Sequence, residues 1–65
     1  MFFVYVIQSE LDKRLYKGHT ADVEKRLREH NAGRTRSTRP YRPWTLVYKE
    51  EVETKEKAVE KERSF

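Results

Sequence analysis

Cysteine is absent from this sequence, and so is any long apolar run. Without cysteine the fold can hold neither disulfide bridges nor a thiolate zinc site, which excludes a disulfide-stabilised secreted mini-protein. The longest apolar stretch, MFFVYVI at residues 1–7, has no basic region before it and is far shorter than the roughly 20 residues of a membrane helix. We therefore expect a cytoplasmic protein that makes no use of a membrane.

The chain of 65 residues is long enough for one small domain. A chain of this size buries only about 60% of the surface that its unfolded form exposes. We expect a single, marginally stable domain over residues 1–65, and we assume a monomer. No Gly, Asn or Pro closes the last predicted helix.

Positive charge is concentrated in one part of the chain. The net charge is +4, and between Lys25 and Arg42 there are seven Lys or Arg residues but a single acid, Glu29. An arginine-rich segment of this kind is typical of a phosphate-binding surface. A solvated loop would account for the charge alone equally well.

Hydrophobic patterning predicts the element order ββαβα. Residues 2–7, FFVYVI, favour a central strand covered on both faces, and LYKG favours a second strand that pairs antiparallel with it and ends at Gly18. Thr20 is the predicted N-cap of a first helix, and Asn31 and Gly33 end it. Residues 33–43, GRTRSTRPYRP, lack periodicity and favour an irregular loop.

The last part of the chain favours one more strand and one more helix. WTLVYKEEV alternates with Trp44, Leu46 and Tyr48 on one face. Thr54 is the predicted cap of the final helix, KEKAVEKERSF, whose apolar positions are Ala58, Val59 and Phe65. The predicted fold is a small α/β (α+β) layer structure, a mainly antiparallel three-stranded sheet with helices packed on it.

Several polar residues are unusual for a plain core. Glu62 falls on the apolar face of the last helix, where a carboxylate needs an ionic partner, either an arginine or a divalent cation, unless it simply reaches solvent. Arg26 and His30 lie one turn apart beside the core, and Tyr16 shares a strand face with Gly18, which leaves room for a close approach to the backbone. A snorkelling arginine and a histidine at a helix C-terminus are the plain alternatives.

Two other patterns carry less weight. His19 and His30 make a poor zinc site, because three or four protein ligands are needed and no cysteine or i, i+4 histidine pair is present. The PYRP stretch at residues 40–43 has the spacing of a polyproline II ligand for an SH3 domain, but a single match inside a small domain favours a stiffened loop.

The segments VYVI, LYKG, VEKRLREHN, STRPYRPW and AVEKE together resemble the GIY-YIG nuclease family over essentially the whole chain. The resemblance is closest to its small stand-alone bacterial members, which are similar to the nuclease domain of the excision-repair subunit that makes the incision. In this resemblance Tyr5 matches the tyrosine of the first tripeptide, while Tyr16 and Gly18 match the tyrosine and the turn glycine of the second.

The resemblance implies a divalent-metal-dependent DNA endonuclease, with a role in DNA repair or processing. Glu62 would hold a Mg²⁺ or Mn²⁺ ion, and Arg26 would bind the scissile phosphate. Tyr16, helped by His30 as a proton acceptor, would activate the attacking water, and Tyr5 would orient the water or the phosphate. The candidate DNA contacts are basic side chains after the second tyrosine: His19, Arg34, Arg36, Arg39 and Arg42.

The sequence departs from the family pattern at two points. Lys17 replaces an aliphatic residue between Tyr16 and Gly18. The sequence also ends three residues after Glu62, where family members continue the last helix, so we expect that helix to be cut short, and an asparagine that some members use near the site has no counterpart. A function from another class, a non-catalytic nucleic-acid-binding module, would use the same basic face for phosphates and the tyrosines for base stacking. That alternative leaves Glu62 and the spacing of Arg26 and His30 unexplained.

Overall fold

A three-stranded antiparallel sheet organises residues 1–64, the part of the chain that this computed structural model describes. The elements in chain order are strands β1 (Phe2–Ser9) and β2 (Leu15–Thr20), helix α1 (Val23–Asn31), strand β3 (Trp44–Val52) and helix α2 (Lys55–Ser64). This order and the antiparallel pairing confirm the predicted α+β fold. Phe65, a predicted apolar position of the last helix, lies outside the described residues.

Strand β1 is the middle strand, in the order β2-β1-β3. Its Val4 and Ile7 side chains point to opposite faces and are both fully buried, as expected for an apolar strand covered on both sides. The predicted end of β2 at Gly18 is wrong. Gly18 pairs with Tyr5 inside the ladder, and β2 continues to Thr20 because its backbone stays extended beyond the glycine.

The two helices cover opposite faces of the sheet. Helix α1 lies on the Tyr5 face, where its His30 bonds the Tyr5 hydroxyl. Alternation along β2 points His19 to the other face, and there it meets Glu62 of α2. Both helices of residues 1–64 are too short and too polar to span a bilayer.

A β-bulge in β3 changes which residues share a face. Ile7 pairs with Leu46, but its neighbour Val6 pairs with Tyr48, so Val47 is an extra residue without an opposite partner. The predicted common face of Leu46 and Tyr48 is therefore wrong. Tyr48 faces away from the α1 side and its side chain is exposed.

A side-chain N-cap begins each helix. The cap of α2 was predicted correctly, and the cap of α1 was not. The N-cap of α1 is Asp22, whose carboxylate accepts a hydrogen bond from the Lys25 amide at 3.1 Å. The predicted cap, Thr20, instead ends β2 and accepts from the Asp22 amide. The Thr54 hydroxyl accepts from the Lys57 amide at 3.2 Å, which confirms the predicted start of α2.

The segment 33–43 is irregular, as predicted, apart from a short 3-10 turn at Arg39–Tyr41. Side chains outside it hold it in place. The Asn31 amide group bonds both backbone groups of Trp44, and the buried Ser9 hydroxyl donates to the Tyr41 carbonyl at 2.6 Å. These bonds fix the path of the arginine-rich segment over the end of α1.

Candidate active site

Tyr5 and Gly18 face each other across β1 and β2. A Cβ atom at position 18 would lie 2.7 Å from the Tyr5 hydroxyl oxygen and 2.8 Å from the ring carbon that carries it. The space left by the glycine, predicted from the sequence, is thus taken by the Tyr5 phenol itself. Only glycine allows the phenol to cross β2 at this height.

We expect Gly18→Ala to lower the free energy of unfolding by about 1–3 kcal/mol, the usual cost of overpacking a core. Tyr5 cannot move aside freely because it is only 2% exposed and is bonded to His30. Chemical denaturation measures the change. Leu15→Ala, at an exposed position of the same strand, is the control and should stay within about 0.5 kcal/mol of wild type. Equal stability of both variants would contradict the contact.

His30 occupies the last turn of α1 and is fully buried. Its Nε2 lies 3.0 Å from the Tyr5 hydroxyl oxygen, and its Nδ1 lies 2.8 Å from the Thr38 hydroxyl oxygen. Both ring nitrogens are therefore occupied by buried hydroxyl groups. The imidazole is held rigidly between the sheet and the segment 33–43.

Tyr16 also contacts the His30 imidazole, but it does so through ring packing and not through a hydrogen bond. The ring of Tyr16 packs edge-on against His30 with centroids 5.0 Å apart, and it lies 6.5 Å from the Tyr5 ring. The resemblance implied that His30 accepts a proton from Tyr16. The hydrogen-bonded partner of His30 is instead Tyr5, because the two ring nitrogens are taken by Tyr5 and Thr38.

Burial sets the protonation states of the Tyr5 and His30 pair. Burial lowers the pKa of His30, and the nearby Arg26 cation lowers it further, so the imidazole is neutral at pH 7. Burial raises the pKa of Tyr5, while hydrogen bonding from Arg26 opposes this shift and the charge of Glu62 adds to it. Tyr5 is therefore a protonated phenol beside a neutral imidazole.

Arg26 lies on α1 one turn before His30, with a half-buried side chain. Its Nη1 donates to the Glu29 carboxylate at 3.0 Å, which lowers the pKa of Glu29. The guanidinium also lies within electrostatic reach of both Tyr5 and Tyr16. With five N–H donors in a fixed fork, Arg26 keeps donors for an anion placed beside the two tyrosines.

Glu62 lies on α2, on the face of the sheet opposite α1, where it meets the edge strand β2. Its Oε1 lies 2.7 Å from His19 Nδ1, and both side chains are about one-third exposed (31% and 30%). The sequence had offered an arginine or a cation as its partner, and the protein partner is a histidine. His19 is thus bonded to Glu62, and its role as a DNA contact stays a prediction. Besides burial, the negative charge of Glu62 contributes to the raised pKa of Tyr5.

The donor set near Glu62 limits the kind of metal site. Within residues 1–64 there is no group of three or more His, Asp or Glu side chains that could hold an ion. Mg²⁺ commonly keeps several waters and binds through one or two carboxylates plus substrate phosphates. The partly exposed Glu62 carboxylate could bind an ion of this kind. The side chains of residues 1–64 do not form a site in which protein ligands alone surround the ion.

The predicted DNA-contact arginines of the segment 33–43 all have exposed side chains: Arg34, Arg36, Arg39 and Arg42. The segment is joined to the His30 site through the Thr38 bond. Their contact with DNA stays a prediction.

Sequence reasoning missed two supporting residues. Thr38 is 1% exposed and bonds His30, and Asn31, interpreted as a helix stop, holds the start of β3 through Trp44. The STRPYRPW stretch was distinctive as text, but nothing in it marks Thr38 as the partner of a histidine eight residues earlier.

The fold is a small α+β domain in which tyrosine, histidine and arginine side chains form one cluster. The chain belongs to the GIY-YIG family, because the GIY-YIG catalytic domain matches residues 1–65. A UPF0213 protein of Streptococcus pyogenes serotype M3 is 42% identical over 64 residues, which cover 97% of this chain and 68% of that protein. A UPF0213 protein of Haloquadratum walsbyi is 43% identical over 64 residues, which cover 97% of this chain and 71% of that protein. No solved structure matches the chain.

Proposed function

We propose that this protein is a divalent-metal-dependent endonuclease that hydrolyses phosphodiester bonds in DNA. Membership of the GIY-YIG family supports a nuclease role in general. The observation that carries the more specific proposal is the Tyr5 hydroxyl, held 3.0 Å from a buried neutral imidazole and beside the Arg26 guanidinium. A base, a hydroxyl and a cation held close together can activate water and stabilise charge in phosphodiester hydrolysis.

Each residue of the cluster has a separate task in this proposal. Arg26 binds the nonbridging oxygens of the scissile phosphate with its remaining donors and stabilises their growing charge. The hydroxyls of Tyr5 and Tyr16 position the attacking water on the exposed side of the cluster. His30 accepts the proton that the water loses, since its imidazole is neutral at pH 7.

Glu62 is the proposed metal ligand. A Mg²⁺ or Mn²⁺ ion held there would supply charge neutralisation at the phosphate oxygens. Since the Glu62 carboxylate already bonds His19, the histidine restricts the orientations that the carboxylate can adopt. His19 is therefore a residue that supports the metal ligand as well as a candidate phosphate contact.

The exposed arginines of the segment 33–43 are the proposed DNA-binding surface. We expect Arg36→Ala combined with Arg39→Ala to weaken binding equally for all DNA sequences and to reduce the salt slope by roughly one or two counterions. Titrations of labelled DNA at several salt concentrations measure both quantities. The control with the same charge change is Lys55→Ala combined with Lys57→Ala on α2. If the salt dependence of binding has the same slope in both double variants, Arg36 and Arg39 do not contact phosphates and are ordinary solvated side chains.

The experiment that tests the function is incubation of the purified protein with supercoiled plasmid, branched DNA and single-stranded DNA. Each substrate is offered with Mg²⁺, with Mn²⁺ and with EDTA. We expect nicking that requires the divalent ion, and preferred cleavage of branched DNA would support a role in repair or processing. Tight DNA binding without cleavage under every condition would instead establish the non-catalytic binding module.

A further inference from the structure

The Thr38 hydroxyl touches His30 on the side away from Tyr5. We propose that Thr38 is a positioning residue that fixes the direction of the hydrogen-bond chain, so that Tyr5 passes its proton to His30 and relays the proton of the attacking water. The contacts that Thr38 makes with Thr35 and His30 support this direction of the chain. Its catalytic meaning rests on the proposed nuclease function.

The first step concerns the hydroxyl proton of Thr38. The Thr38 oxygen lies 3.3 Å from the Thr35 carbonyl oxygen and 2.8 Å from His30 Nδ1. In the proposed arrangement the single hydroxyl proton goes to Thr35, because a carbonyl oxygen can only accept whereas His30 Nδ1 can donate. The Thr38 oxygen must then accept from His30, which places a hydrogen on Nδ1.

The second step concerns the other ring nitrogen. A neutral imidazole has one N–H group, and with Nδ1 protonated, Nε2 is an acceptor. The Tyr5 hydroxyl, 3.0 Å away, therefore donates to Nε2. The ionisable groups that face the imidazole are Tyr5 from β1, Tyr16 from β2, and Arg26 and Glu29 from its own helix.

The position of Thr38 is itself fixed. Its side chain is 1% exposed, and its carbonyl accepts from the Trp44 indole at 2.9 Å. Its amide also bonds the Thr35 carbonyl at 3.2 Å. A β-branched side chain with a fixed backbone has few rotamers, so its oxygen stays at Nδ1.

The third step gives the consequence for the reaction. As an O–H bond of the attacking water breaks, its proton goes to the Tyr5 oxygen, and the original Tyr5 proton goes to His30 Nε2. The water oxygen forms the new bond to phosphorus. The electron pair of the breaking P–O bond leaves with the departing oxygen, which solvent then protonates. Tyr5 is neutral before and after the transfer, in keeping with its raised pKa.

The test compares Thr38→Val, which keeps the shape but removes the acceptor, with Thr38→Ser, which restores a hydroxyl. ¹⁵N NMR of the free protein reports which nitrogen of His30 carries the hydrogen. We expect the Nδ1–H form in wild type and Thr38→Ser, and the Nε2–H form in Thr38→Val, because a buried Nδ1–H would lose its only acceptor. Cleavage by Thr38→Val should fall at least about tenfold, and Thr38→Ser should restore it.

Thr45→Val, at an exposed threonine of β3, is the control and should match wild type in both measurements. An Nε2–H form in wild type would overturn the proposal, even if Thr38→Val does not fold. An unchanged His30 form or an unchanged cleavage rate in Thr38→Val would also overturn it. If wild type cleaves no DNA, the proposed function and the relay both fail, while the NMR result still decides the direction of the chain.

Discussion

Glu62→Ala will abolish cleavage while DNA affinity stays close to that of wild type. The carboxylate is the proposed ligand of the metal ion and offers nothing attractive to a phosphate. Loss of several kcal/mol of transition-state stabilisation corresponds to a rate decrease of about a thousandfold or more. The loss of its bond to His19 frees a histidine for phosphate contact, so affinity should not fall.

The matched control is Glu60→Ala, which removes the same charge from an exposed position of α2. Nicking assays with titrated Mn²⁺ and binding measurements in EDTA separate catalysis from affinity. Three results would count against a metal role for Glu62: cleavage that survives EDTA, affinity lost together with cleavage, or equal damage from Glu60→Ala.

Tyr5→Phe is expected to lower the cleavage rate by about a hundredfold or more with DNA affinity nearly unchanged. The change keeps the ring that packs beside Gly18 and removes only the hydroxyl that bonds His30. Single-turnover cleavage with saturating protein measures the chemical step. Circular dichroism of the variant verifies that the fold is kept.

Tyr16→Phe is the matched comparison, because its ring also packs against His30 but makes no hydrogen bond to it. We expect a smaller loss from Tyr16→Phe than from Tyr5→Phe. If Tyr5→Phe cleaves normally and Tyr16→Phe does not, Tyr16 activates the water, as the family resemblance implied. If both variants match wild type, His30 must act on water directly.

The sequence predicted the features that depend on local pattern. The unbroken apolar run FFVYVI identified β1 as the central strand, since a strand covered on both faces needs no polar side. Thr54 could be recognised as a cap because its partner, Lys57, is three residues away. For α1 the same rule pointed to Thr20 and was wrong, because β2 extends to Thr20 and the cap is Asp22.

Features that depend on register or on distant contacts could not be predicted in this way. Alternation along β3 gives no sign that Val47 lacks an opposite partner, because the bulge is defined by pairing with β1. The bond between His19 and Glu62 joins residues 43 apart, on different elements. Which distant side chains meet depends on the whole fold. The sequence therefore identified His19 and Glu62 as candidate site residues but did not show that they are partners.

The contact between Tyr5 and Gly18 also restricts how this site can change by mutation. A side chain at position 18 costs less stability if position 5 has first lost its phenol, because a Cβ atom there would lie only 2.7 Å from the Tyr5 hydroxyl oxygen. A phenol at position 5 is in turn accessible only to a chain that already has glycine at position 18. The two positions are thus epistatic, and the effect of a substitution at one of them depends on the residue at the other.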